Sequence, residues 1–171
     1  MHFFPIALRG SPLGPPVDAH GFTVGPTLVK PTSRGSVTLR NALAHTRPRI
    51  VHNYLTTEED RRSMIDGVRL AREIGGRVSL GDGDLAVPGT DALAFIRERA
   101  QTIFHQVGTR AMGEVVDGEL RVLGVESVRV VDASVMPSIP RGNTNAPTIM
   151  VAEKAADLIR GRPPLPAAAT L

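Results

Sequence analysis

The sequence predicts an α+β fold, and three features point there. Residues 36–40 alternate apolar and polar side chains, residues 56–74 repeat apolar positions at helical spacing, and residues 125–135 form an apolar run ending in small polar residues. The 171 residues suffice for an ordinary domain with a real core.

Six prolines crowd the first 35 residues (Pro5, Pro12, Pro15, Pro16, Pro26 and Pro31). The stretch SPLGPP is therefore a loop, because proline lacks the N–H that helix and central strand require. Two extended segments follow, residues 22–29 and 36–40, separated by KPTSRG. In the second, Val37 and Leu39 oppose Ser36, Thr38 and Arg40, so the two segments are expected to pair antiparallel with one wet face. The clearest helix of the first half is 56–74. Thr56 with Glu59 makes a capping box, acids fill the first turn, and Gly75-Gly76 is expected to stop it. Its inward stripe is Met64, Ile65, Val68 and Ala71. After the loop LGDGDLAVPG, Thr90 is expected to cap a second helix over 91–104, with Leu93, Ile96, Ala100 and Ile103 inward. VESVRVVDASV reads as a strand of a parallel sheet. A last helix is expected over 148–160, and residues 161–171 read as a disordered tail.

Composition excludes several function classes. There is no cysteine, hence no disulfide and no thiolate metal site. No run approaches the roughly 18 apolar residues of a membrane span, and the N-terminus lacks a secretory signal, so the expected location is cytoplasmic. The net charge is +3 with aromatics at 4%. The arginines are scattered rather than gathered in a stripe, which argues against nucleic-acid binding.

Two stretches carry candidate chemistry. In FHQVGTRAMG, His105 follows a helix and precedes a Gly108-Thr109 turn, and histidine is the side chain best suited to exchanging protons near neutral pH. For a lone histidine the simpler reading is a half-buried side chain bonded to backbone. In GNTNAPTIMVAEKAADLI, Asn145 can cap a helix and Pro147 suits its first turn, where its missing N–H costs nothing. Asn143 has no such structural duty, so it is either a loop residue facing water or an amide offered to a ligand. The helix behind it carries partial positive charge at its N-terminus and favours an anion. No strand-to-helix phosphate turn of the G-x-G-x-x-G kind occurs anywhere.

HQVGTRAMG, GVESVRVVDASVMP and GNTNAPTIMVAEKAADLI, in that order, resemble the C-terminal part of the glucose–methanol–choline (GMC) family of FAD-dependent oxidoreductases, of the choline-dehydrogenase-like kind. KPTSRGSVTLR and NYLTTEEDRRSMIDGVRLAREI are similar to that family's substrate-binding domain. The resemblance implies that residues 1–104 are the C-terminal portion of a substrate-binding domain, an antiparallel sheet packed with helices. Residues 105–160 would be the catalytic segment that returns the chain, through a strand and a helix, to an FAD-binding domain. It also implies that His105 is the base for an alcohol and that Asn143 holds the alcohol oxygen. Asp132 and Ala133 would lie at the ribityl and pyrophosphate of FAD, and Asn145, Ala146, Pro147 and Thr148 at the flavin pyrimidine edge. Arg110 departs from the family, where a small residue commonly follows Gly-Thr; it either faces solvent or perturbs the turn. The family's N-terminal FAD-binding region is missing from these residues and is expected in the same or a partner chain. The rival reading is a non-catalytic remnant or interaction module unable to bind FAD.

Overall fold

The computed structural model describes residues 2–4, 21–77 and 91–163. The expected loops SPLGPP and LGDGDLAVPG, the Thr90 cap and residues 164–171 of the expected tail lie outside them. The chain divides into two compact units, Met1–Ile103 and Phe104–Leu171.

In the first unit, strands β1 (His2–Phe4) and β2 (Thr23–Gly25) pair antiparallel, with Phe3 opposite Val24. Strands β3 (Ser36–Thr38) and β4 (Arg49–Val51) form a second antiparallel pair, with Val37 opposite Ile50. The two segments expected to pair with each other thus each take a different partner. The cause lies in the connection between them. Its Thr32 and Ser33 are tied to a helix, so KPTSRG cannot close a hairpin.

That helix is α1, Glu58–Arg77. Thr57, not Thr56, caps it: the Thr57 hydroxyl accepts the Asp60 N–H at 3.3 Å, and the Arg61 N–H donates to the Thr57 carbonyl at 3.2 Å. Asp60 does not fold back to close a capping box. Its carboxylate accepts the Thr32 N–H at 2.8 Å, the Thr32 hydroxyl at 3.0 Å and the Ser33 N–H at 2.8 Å. Ser33 returns the favour from outside the helix, its hydroxyl accepting the N–H groups of Thr56 at 3.0 Å and Thr57 at 3.3 Å. The inward stripe is as expected, with Val68 buried and Met64, Ile65 and Ala71 half-buried. The helix runs through both glycines instead of stopping. Gly75 falls on the buried face and continues the stripe, and neither glycine takes the positive φ of a helix-ending turn.

Helix α2, Ala92–Arg99, packs on α1 through buried Ile96. Asp91 caps it, accepting the Ala94 N–H at 2.9 Å. It ends well before residue 104, because Ala100 is extended (φ −65°, ψ 137°) and Phe104 is left-handed (φ 62°). Ala100 and Ile103, expected inward, are exposed.

The second unit has a core of Val116, Leu120, Val135, Val151 and Ala155. The expected strand over 125–135 is absent there. Single bridges join Arg121 to Arg129 and Val116 to Val122, and residues Ala133–Val135 form a 3-10 turn. Helix α3, Asn145–Ile159, packs on that turn. It begins earlier than expected, with Thr144 at the cap position and Asn145 in the first turn. It ends on Gly161 (φ 64°): the Gly161 N–H donates to the Leu158 carbonyl at 3.3 Å and the Arg162 N–H to the Asp157 carbonyl at 3.0 Å. This is a Schellman closure, made by the backbone of Gly161 and Arg162 at the start of the segment expected as a tail.

Candidate functional site

The stretches HQVGTRAMG, GVESVRVVDASVMP and GNTNAPTIMVAEKAADLI, scattered over some 50 residues, meet in the second unit. Backbone hydrogen bonds sew the first to the second. The N–H groups of Gly108 and Arg110 donate to the Ser134 carbonyl at 3.1 and 3.0 Å, and that of Met112 donates to the Val135 carbonyl at 2.9 Å. Gly108 sits at φ 93°, where a side chain is strained, and a Cβ there would lie 3.6 Å from the Met136 carbonyl oxygen. This turn fixes the chain just after His105.

One side-chain contact joins the first stretch to the third. The Thr144 hydroxyl and His105 Nδ1 lie 3.0 Å apart across 39 residues of sequence, with Thr144 buried and His105 half-buried. Thr144 occupies the α3 cap position, yet no side chain caps the helix, because this hydroxyl is turned to the imidazole instead. The reading of His105 as bonded to backbone gives way to this side-chain partner. Thr144 is the residue that sequence reasoning passed over. The available signal was a β-branched hydroxyl between two asparagines at a helix start, which reads most simply as an ordinary cap.

The remaining candidates are distributed around this contact. Asn143, next to Thr144, is exposed, as are Asn145 and Ala146 in the first turn of α3. Pro147 offers no N–H to a ligand. The Thr148 hydroxyl is committed to the Thr144 carbonyl at 2.6 Å, which holds the first turn tight. Asp132 is exposed and accepts the Ser134 N–H at 2.7 Å, capping the 3-10 turn that starts at Ala133. The nearby Ser134 hydroxyl and this N–H hold the Asp132 carboxyl below the usual carboxylate range; partial burial opposes them and the Arg110 charge adds to them. The Ser134 hydroxyl stands beside the carboxylate without an aligned hydrogen bond, and its oxygen is buried with no partner among the described residues. Arg110 faces solvent and donates to the Thr109 hydroxyl at 3.0 Å, while its own N–H keeps the turn closed on Ser134. It therefore leaves the turn intact.

The donors fit an anionic, hydroxyl-bearing cofactor. The open first turn of α3 supplies unpaired N–H groups with partial positive charge, Ser134 supplies a buried hydroxyl without a partner, and Asp132 has acceptor capacity left for a hydroxyl. Among the described residues no cluster of metal ligands exists, and no helix is long and apolar enough to cross a membrane.

Comparison with known proteins gives these features a context. The GMC oxidoreductase family model matches residues 31–152. An oxygen-dependent choline dehydrogenase of Klebsiella pneumoniae (strain 342) is 44% identical over 96% of this chain, which spans 32% of that protein. Pyridoxine 4-oxidase from Mesorbium loti superimposes with a TM-score of 0.72 at 32% identity, over 78% of this chain and 28% of that one. An FAD-dependent oxidoreductase from Chaetomium thermophilum gives a TM-score of 0.68 at 31% identity, over 78% and 25% of the respective chains. The chain thus spans about a third of the length of the curated relatives it matches.

Proposed function

Since this chain belongs to the GMC oxidoreductase family, we propose that it forms the proton-accepting wall of an FAD-dependent enzyme that oxidises a primary, choline-like alcohol. The observation that carries the reading is the contact between His105 Nδ1 and the Thr144 hydroxyl. With Nδ1 donating to Thr144, the lone pair lies on Nε2, and that nitrogen accepts the hydroxyl proton of the alcohol. Asn143 is one residue from Thr144 and exposed. Its amide holds the alcohol oxygen and orients the carbon that bears the hydride. General-base catalysis of this kind supplies about 10² to 10⁴ in rate.

FAD, when bound, supplies the hydride acceptor. The N–H groups of Asn145 and Ala146, with the positive end of α3 behind them, stabilise negative charge at the pyrimidine edge. Asp132 and the Ser134 hydroxyl serve the ribityl side, with Ala133 letting the backbone approach there. Pro147 and Thr148 act by shaping the first turn rather than by donating: proline has no N–H, and the Thr148 hydroxyl is already engaged.

On this reading the chain works only together with a flavin-binding portion of the kind that makes up most of its relatives' length, and it is inactive alone. The test is a chimera in which this chain replaces the matched region of the Klebsiella pneumoniae enzyme. The chimera should take up flavin, and choline should bleach its absorbance under anaerobic conditions. Asn143→Ala should slow that bleaching about tenfold or more while flavin content is unchanged. A chimera that folds but never takes up flavin supports the rival view of the chain as a non-catalytic remnant.

A further inference from the structure

Acidic residues are absent from 19–57, and Lys30, Arg34, Arg40, Arg47 and Arg49 all fall there. Over the rest of the chain acids outnumber basic residues, 17 to 15. The cationic stretch contains β3, β4 and the turn that joins them. Among the described residues no other helix or strand packs on either of these strands. The base of the hairpin is fixed all the same. The Asn53 side-chain amide donates to the Arg34 carbonyl at 3.1 Å, and Thr32 and Ser33 hold the entry to Asp60.

The register sorts the side chains. Val37 lies opposite Ile50 and Thr38 opposite Arg49, so Val37 and Ile50 share one face, and Thr38 and Arg49 the other. Alternation puts Leu39 with the apolar pair. In the turn the Thr46 N–H donates to the Leu43 carbonyl at 3.0 Å, and Arg40 and Arg47 flank it. Leu39 is 83% exposed, Leu43 58% and Ile50 56%, and Val37 is exposed as well. Arg40, Arg47 and Arg49 are exposed and make no ion pair among the described residues.

We propose that this hairpin docks on a membrane surface rich in anionic lipid. Val37, Leu39, Leu43 and Ile50 enter the boundary between headgroups and acyl chains, while the three arginines stay at the level of the phosphates. Charge complementarity selects this occupant, since each arginine near such a surface strengthens binding about fivefold. The aliphatic side chains decide against nucleic acid. Single strands are held by stacking on aromatic rings, and duplexes by phosphate contacts that leave aliphatic groups in water. A second copy is also the poorer occupant, because two such hairpins would set cation against cation with no acid between them. None of these residues belongs to the second unit, so the proposal goes beyond the alcohol-oxidising reading and does not depend on it.

Co-sedimentation with lipid vesicles tests it. The 171-residue chain is mixed with vesicles of phosphatidylcholine alone, or of phosphatidylcholine and phosphatidylserine in equal parts. Binding to the mixed vesicles should be about a hundredfold tighter or more, and should weaken steeply as salt is raised. Combining Arg40→Gln, Arg47→Gln and Arg49→Gln should lower affinity about a hundredfold. Leu39→Ser with Leu43→Ser keeps every charge and should lower it about tenfold, with circular dichroism unchanged. Equal binding to the two kinds of vesicle overturns the proposal. So does a leucine variant that binds like the unaltered chain, or a DNA duplex that binds as tightly as the mixed vesicles, because charge alone would then be acting. Dimerisation that the leucine variant abolishes overturns it by assigning the face to a second copy. The same measurement on the chimera closes the test: loss of vesicle binding there assigns the face to the flavin-binding remainder and overturns the proposal. A chimera that binds mixed vesicles yet never oxidises choline refutes the functional reading and leaves the membrane surface standing.

Discussion

Replacing Asp60 by Asn should cost the first unit about 2 to 3 kcal/mol at neutral pH. The Asp60 carboxylate is 1% exposed and accepts from the Thr32 N–H, the Thr32 hydroxyl and the Ser33 N–H. Burial pushes its pKa up, but the Ser33 and Thr32 donors outweigh burial and bring it down from an ordinary 3.8 to about 2. A folded-state pKa below the unfolded one means that the charged form stabilises the fold. That contribution is complete above about pH 5 and drains away as pH falls through about 2. A fall from 3.8 to about 2 corresponds to about 2.4 kcal/mol. Asn keeps the shape but turns an NH₂ toward N–H donors, adding an unsatisfied contact. Urea unfolding followed by circular dichroism at steps from pH 7 to pH 2 measures this directly. The gap between wild type and Asp60→Asn should close as acid protonates Asp60. A gap below about 1 kcal/mol at neutral pH, or one that stays constant into acid, would refute the assignment.

Three further outcomes follow from local geometry. Gly35→Ala should destabilise by about 3 kcal/mol or more in the same urea assay, because its Cβ would lie 2.3 Å from the Val51 carbonyl oxygen and 2.9 Å from that of His52. Gly76→Ala should instead raise stability by about 0.5 to 1 kcal/mol, since it lies within α1 with nothing within 4 Å of the added carbon. Thr144→Val in the chimera should slow flavin reduction about tenfold, the worth of one hydrogen bond, and Thr144→Ser should restore it.

What could be read from the residues was the local part. The stripe through Met64, Val68 and Ala71 needs no partner to declare itself, and α1 formed around it. The terminal helix was found for the same reason. Its start was misplaced because Thr144, the natural cap, spends its hydroxyl on a histidine 39 positions earlier. Pairing of three-residue strands was illegible, since so short a segment carries almost no register information. Thr32 and Ser33 read as turn residues, and only their long-range bonds to Asp60 reveal why β2 and β3 do not pair. The expected strand over 125–135 has the right side chains but half of its edge unpaired. Among the candidate site residues, His105 stood out by chemistry and by the family resemblance, and Asn143 by the resemblance. The contact that orients His105 lay beyond the reach of spacing.

The central claim is that His105 removes the alcohol proton. The most direct measurement is the anaerobic rate of flavin reduction by choline in the chimera, with and without His105→Ala. A loss of about 10² to 10⁴ with flavin still bound is the predicted result. A rate within about threefold of the unaltered chimera, at saturating alcohol, would contradict it.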